Sequence, residues 1–256
     1  MADELVHYGV RGGIATITLD SPHNRNALSA QLRRELAGRL DEAMDDPAAR
    51  VIVLDHTGPV FCAGMDLKEA AGSNTSTQGV NEFPAILERV WTGPKPVIAQ
   101  LAGPARAGGV GLVAACDIAI AAEQATFAFS EVRIGVVPAL ISVTVLPRLL
   151  PRAAHELFLT GETFDADRAV RIGLINACVP AEGLAEEVAR YAKMLLLGGP
   201  TALAATKQVL RDGRPEVGER FADMLELSAK FFAGEEGQEG IRAFAEKRPA
   251  SWVPQP

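Results

Sequence analysis

Lys95-Pro-Val-Ile-Ala-Gln-Leu-Ala-Gly-Pro-Ala-Arg-Ala-Gly-Gly-Val-Gly-Leu112 is the stretch on which the fold turns. Pro96 to Leu101 is apolar and β-branched, as suits a strand buried on both faces, and Gly103 to Gly111 then makes a glycine-rich turn opening toward a helix. Asp117 to Ala121 supplies another short strand. A comparable unit lies upstream, where Ile14 to Asp20 alternates apolar residues with threonines, Ser21 to Asn26 interrupts, and Leu28, Leu32, Leu36 and Leu40 recur at helical spacing. Val51 to Asp55 is a further apolar strand leading into the glycine-rich Gly58 to Gly64, and Leu174 to Val179 reads as one more. Strands separated by helices or long loops predict an α/β protein whose strands are buried on both faces.

Gly72 to Asn81 is rich in Ser, Thr, Asn and Gly without an apolar period, and is expected to be a mobile surface loop beside the site. Beyond Pro200 the pattern is helical. There Val217, Phe221, Met224, Leu225, Phe231 and Phe232 form an apolar stripe that serves either packing within the chain or a subunit interface. The 256 residues suffice for one main domain with an appendage, and 48% apolar with 22% charged residues is an ordinary globular composition. A net charge of −7 and the absence of any cationic block argue against nucleic-acid or anionic-membrane partners. Met1 to Val10 lacks the features of a signal peptide and no apolar run approaches the roughly 18 residues of a membrane span, so a cytoplasmic location is expected. Cys62, Cys116 and Cys178 stand apart in apolar strings and read as small buried hydrophobes. His7, His23, His56 and His155 show no metal-binding spacing, so no metal site is expected.

Two segments are suited to holding an oxyanion: Phe61-Cys-Ala-Gly-Met-Asp-Leu-Lys68 and Gly103 to Leu112. Each follows a strand and opens toward a helix, whose first N–H groups are unpaired and carry partial positive charge. Two such ends facing one another would hold an oxyanion between them. About twenty residues beyond Gly111 comes Phe127-Ala-Phe-Ser-Glu-Val132, a carboxylate framed by aromatic and aliphatic side chains. An apolar setting disfavours the charged form and moves a glutamate toward neutral pH, where it both takes and gives protons, so Glu131 is the candidate acid/base.

Asn26-Ala-Leu28, the Phe61 to Leu67 string, Lys95-Pro-Val-Ile-Ala99, Gly108-Gly109 with Cys116-Asp-Ile118, Phe129-Ser-Glu-Val132 with Gly135 and Pro138, Leu159-Thr-Gly161, Gly173-Leu-Ile-Asn176 and the ending Gly240 to Arg248 occur in an order that resembles the enoyl-CoA hydratase/isomerase (crotonase) family over nearly the whole chain. The resemblance implies an α/β spiral of ββα turns over residues 1–195 and a C-terminal helical trimerisation region over residues 196–256, assembled as a homotrimer or a dimer of trimers. It implies an acyl-CoA thioester substrate, with coenzyme A part of the substrate and no separate cofactor. It places the oxyanion hole at the backbone N–H groups of Met65 and Gly108. Arg25, Ala27, Ala63, Asp66, Leu67, Lys68 and Gly111 would line the substrate groove, with Phe244 and Lys247 reaching it from a neighbouring subunit.

Two departures bear on the reaction. Family hydratases typically carry a first water-holding glutamate where this chain has Gly111, leaving Glu131 alone. Pro138-Ala-Leu-Ile-Ser-Val-Thr144 replaces a run of glycines, and with Arg106 it is similar to a subgroup acting on branched or carboxylated enoyl-CoA esters. The readings carried forward are a hydratase, a double-bond isomerase working through Glu131, and a non-catalytic acyl-CoA-binding protein. A relaxed dinucleotide fingerprint, Gly109-x-Gly111-x-x-Ala114, is set aside because the next strand begins too soon for a βαβ crossover.

Overall fold

The computed structural model describes residues 4–67, 69, 82–211 and 217–251. The predicted loop from Gly72 to Asn81 and the candidate residue Lys68 lie outside them. In chain order the elements are β1 (Val6–Arg11), β2 (Ile14–Leu19), α1 (Ala30–Asp45), β3 (Val51–His56), α2 (Phe83–Thr92), β4 (Val97–Leu101), β5 (Ala105–Arg106), α3 (Gly108–Ala115), β6 (Ile118–Ala122), β7 (Thr126–Ala128), α4 (Ala139–Val145), α5 (Pro151–Thr160), β8 (Phe164–Asp165), α6 (Ala166–Arg171), β9 (Ala177–Val179), α7 (Leu184–Leu196), α8 (Pro200–Arg211), α9 (Val217–Ala233) and α10 (Glu235–Ala245).

Six strands form one sheet in the order β1-β2-β3-β4-β6-β9. The β1 edge pairs antiparallel and every other neighbour pairs parallel. Continuous apolar runs occupy the centre because both faces are covered: Ile52 and Leu54 face the main core, while Val51, Val53 and Ile98 face a second cluster closed by Leu184, Val188 and Ala192 of α7. In α1, Ser29 caps the helix by accepting a hydrogen bond from the Leu32 N–H, and Leu32, Leu36 and Leu40 are buried as their spacing predicts.

A second layer follows the same progression. Leu28 bridges to Met65, Cys62 to Ala105, and β5 pairs parallel with β7, which β8 closes antiparallel. Each turn of chain thus gives a strand to the large sheet, a short extended piece to the second layer, and a helix, which is the ββα spiral that the sequence resemblance implies. The stripe on α9 packs inward: Phe221 is buried, and Val217, Met224, Leu225 and Phe232 lie against the main core. Cys62 and Cys116 are buried as expected, whereas Cys178 is only partly so. No helix of the described residues is long and apolar enough to cross a membrane.

Lys207 ties α8 to the sheet. Its ammonium is buried and donates to Asp117 Oδ2 at 2.7 Å and to the Lys95 carbonyl at 2.9 Å, while Asp117 also accepts from the Val97 N–H. Removing the cation leaves a charge half out of water without its partner. Lys207→Met is expected to lower the free energy of unfolding by about 2–3 kcal/mol, short of the roughly 3–5 kcal/mol of a fully enclosed pair because the Asp117 side chain is 26% exposed. Urea denaturation checks this, and an unchanged midpoint would refute it.

Candidate active site

The two proposed donor loops are held together by a glycine that has no room to be anything else. Gly64 has φ +87°, and a Cβ there would lie 3.0 Å from Ala107 Cβ and 3.1 Å from the Arg106 carbonyl oxygen. Asn26, buried and at φ 52°, fastens the approach to Gly64, accepting from the Ser21 N–H and donating to the carbonyls of Thr57 and Val60. Leu28 N–H donates to Gly64 O at 2.8 Å and Ala63 N–H to Arg25 O at 3.1 Å, so the residues after β2 clamp the strand carrying Met65.

On the other side Ala107 sits at φ 47°, ψ −119°, a conformation costly for a residue with a Cβ, and its N–H is anchored on the Ala128 carbonyl. This bend starts α3 at Gly108. Gly108 itself is the first residue of a right-handed helix, so the left-handed backbone falls one residue earlier than the glycines suggest. The first N–H accounted for inside the helix is that of Val110, bonded to Ala107 O. Among the described residues neither Gly108 nor Met65 donates its backbone N–H to a protein acceptor. Both residues line one cavity of about 370 Å³.

Glu131 lines the same cavity from a 3-10 turn over Ser130–Ile134. Its Oε2 is sealed from solvent and has no hydrogen-bond partner. Burial is the main cause that pushes its pKa from 4.5 up to about 7, against a smaller opposing effect of a hydrogen bond to its own backbone. Most of the remaining wall is apolar, including Phe83, Val136, Leu140, Ile141 and Phe232. A buried carboxyl titrating near neutrality beside two unpaired N–H donors is suited to moving a proton while an oxyanion forms.

The other candidates divide. Arg25, Ala63 and Leu67 line the cavity, and so does Arg106, which spends three guanidinium hydrogen bonds on Ala105 O, Thr126 O and Thr126 Oγ1. Ala27 and Asp66 are not among the lining residues: Ala27 is buried, and Asp66 accepts from the Asn24 side chain and the Glu69 N–H. Phe244, expected from a neighbouring subunit, lines the cavity of its own chain. Lys247 does not line it. Its φ of 54° places it in the left-handed turn that ends α10, where Arg248 N–H returns to Ala243 O, and its side chain is exposed. Sequence reasoning missed Ser228 and Phe232 of α9, which complete the cavity from about a hundred residues beyond Glu131.

Gly111 is also displaced from the expected role. It is buried behind Ile141, and a Cβ there would lie 2.5 Å from Ile141 Cγ2. A side chain at position 111 would therefore have to displace Ile141.

With the geometry established, the comparisons identify the lineage. The chain belongs to the enoyl-CoA hydratase/isomerase family, which it matches over residues 9–255. A crystal structure of an enoyl-CoA hydratase from Mycobacterium avium is 43% identical, covers 98% of this chain and 100% of its own, and superposes with a TM-score of 0.88. A carnitinyl-CoA dehydratase of Citrobacter koseri is 35% identical over 97% of this chain and 98% of that protein. The mitochondrial enoyl-CoA hydratase domain-containing protein 3 of Danio rerio is 34% identical over 94% of this chain and 85% of that protein.

Two predictions follow from the packing. Between pH 4.5 and 7 the unfolded chain releases the Glu131 proton while the folded chain keeps it, so native stability falls as pH rises through that window. Glu131→Gln removes the titration, and its stability relative to wild type is expected to climb across the window by on the order of 3 kcal/mol and level off above it. Melting temperatures from pH 4 to 9 check this, and a difference independent of pH would contradict it. Gly111→Glu alone should overpack against Ile141 and destabilise by about 1–3 kcal/mol, whereas adding Ile141→Ala should restore much of the loss. Equal melting temperatures for the single and double variants would refute the contact.

Proposed function

We propose that this chain is an enoyl-CoA hydratase, adding water reversibly across the double bond of a 2-enoyl-CoA thioester. The observation that carries the reading is the Glu131 carboxyl, whose Oε2 is enclosed and without a hydrogen-bond partner, in a cavity also lined by Met65 and Gly108, whose backbone N–H groups donate to no acceptor among the described residues. The Glu131 carboxylate takes a proton from water as the hydroxyl oxygen bonds to C3. The π electrons shift onto the thioester oxygen, and the enolate so formed accepts hydrogen bonds from the two N–H groups. The carboxyl then gives its proton to C2 and the thioester carbonyl re-forms. Water and the thioester are the only reactants, and the step calls for no separate cofactor. Arg25, Ala63 and Leu67 face the coenzyme portion, and the apolar wall from Val136 to Ile141 takes the acyl chain. The related Citrobacter protein's name, a carnitinyl-CoA dehydratase, fits the reverse of the same step.

A second reading is double-bond isomerisation, favoured by Ile141 in the space of a second carboxylate. Glu131 would then take the C2 proton of a 3-enoyl thioester and return it at C4, which needs no held water. For the assembly we propose a homotrimer or dimer of trimers, with residues 196–256 as the oligomerising region. Exposed Leu159, Leu197, Val209 and Leu210 support this reading.

Incubation with 2-enoyl- and 3-enoyl-CoA esters separates the reactions. Mass spectrometry reads the gain of water and chromatography reads isomers of unchanged mass. Hydration of at least one 2-enoyl ester is expected, with Glu131→Gln slower by roughly 10²–10⁴ while thioester binding persists. Isomerisation alone would favour the second reading, and binding without conversion would leave a non-catalytic acyl-CoA-binding protein.

A further inference from the structure

The C-terminal helix α10 packs on the turn that carries Glu131, and does so through bare backbone. Gly240 faces Ile134 so closely that a Cβ on it would stand 2.2 Å from the Ile134 carbonyl oxygen and 2.4 Å from its carbon. One residue on, Gly135 has φ +69°, and a Cβ there would stand 2.6 Å from the backbone of Glu236. Two glycines on opposite partners thus bring helix and turn together closer than side chains allow. The far side of the turn is held as well, by Arg133 Nε donating to Thr160 O at 2.8 Å. Within the turn, the Val136 N–H closes onto the carbonyl of Glu131 itself at 3.0 Å.

The geometry points to Gly240 as a positioning residue for Glu131: by seating α10 directly on the Ile134 carbonyl, it fixes the turn so that the Glu131 carboxyl stays enclosed and aimed into the cavity of its own chain. The C-terminal helix therefore has a task inside each subunit apart from any role between subunits. Phe244, one turn further along α10, walls the same cavity. Gly237 provides the internal control. It is equally tight, with a Cβ falling 2.1 Å from the Phe231 carbonyl oxygen, but that contact closes the corner between α9 and α10 and does not touch the turn. Among the described residues the charged or titratable groups around the turn include Arg133 within it, Glu236 on α10, Arg25 and Arg106 across the cavity, and Arg152, His155 and Glu156 on α5, which also packs against the turn.

The catalytic consequence rests on the reading of Glu131 as the acid/base, but the positional claim is testable without turnover. Side-chain carboxyl carbons of the full-length protein are titrated by NMR, with Glu131 assigned by the signal lost in Glu131→Gln. Wild type is expected to show a midpoint near 7. Gly240→Ala, which pushes the turn outward and admits water, should move it toward the ordinary 4.5, whereas Gly237→Ala should lower the melting temperature and leave the midpoint in place. Where the enzyme turns over, Gly240→Ala should lower kcat by roughly 10²-fold, the cost of about 1 Å of misplacement, with KM changed much less. If Gly240→Ala does not fold, Ile241→Val, which loosens the same buried helix face by one methyl, carries the test and should give a smaller shift in the same direction. A folded Gly240→Ala, or failing it Ile241→Val, with an unmoved midpoint overturns the inference, as does a wild-type midpoint near 4.5 or a shift of equal size in Gly237→Ala. Shifts as expected in a protein that converts no thioester would leave the positioning intact and remove the proposed reaction instead.

Discussion

The site depends on one close approach, that of Gly64 to Ala107 and Gly108, which brings Met65 and Gly108 to the wall of a single cavity. Neither loop reaches this position unaided. The first is drawn in by Asn26, whose amide satisfies three backbone groups in a region where unpaired polar atoms would cost 1–3 kcal/mol each. The second is bent by Ala107, held in an unfavourable conformation by the Ala128 carbonyl and by the buried helix that follows. Strain at this residue is supported by the packing of α3, every residue of which is buried. The parallel sheet matters to function chiefly as the rigid frame that delivers these two chain reversals side by side.

Against that frame the state of the Glu131 carboxyl is set by exclusion. The elevated pKa of Glu131 comes mainly from the removal of water by burial. The same burial that poises it for proton transfer weakens the native state at neutral pH, a local conflict typical of functional sites. Ile141 extends this economy of polar groups, since it packs against the backbone of Gly111 and leaves no room for a side chain there.

Much of this was legible in the sequence because it rests on short-range pattern. The apolar runs of β3 and β4, the leucine period of α1 and the glycine turn before α3 announce themselves locally, and the framing of Glu131 by Phe127 and Phe129 signals its environment. What escaped has a common cause. The strands β5 and β8 have two residues each and β7 three, too few to show an alternating period. The positive-φ residue at the turn is Ala107, which nothing in the composition singles out among its glycine neighbours. Ile141 against Gly111, Phe232 and Ser228 in the cavity, and Gly240 on Ile134 are contacts across thirty to a hundred residues, which no local spacing encodes. Phe244 was legible as a site residue but its route was not, because sequence cannot tell whether a C-terminal helix folds back on its own chain.

The N–H groups proposed as donors, those of Met65 and Gly108, belong to the main chain, and this bears on how such a site changes over generations. A side chain that holds charge is lost by a single codon change, whereas a peptide N–H survives every substitution except proline, provided the loop keeps its course. The genetic targets are then the small set that steers the loops, Asn26, Gly64 and Ala107. The apolar residues that wall the cavity, such as Val136, Leu140 and Ile141, are left free to vary. Selection for a new substrate would draw on the second set without disturbing the first, so the appetite of the cavity is able to drift while its chemistry stays in place.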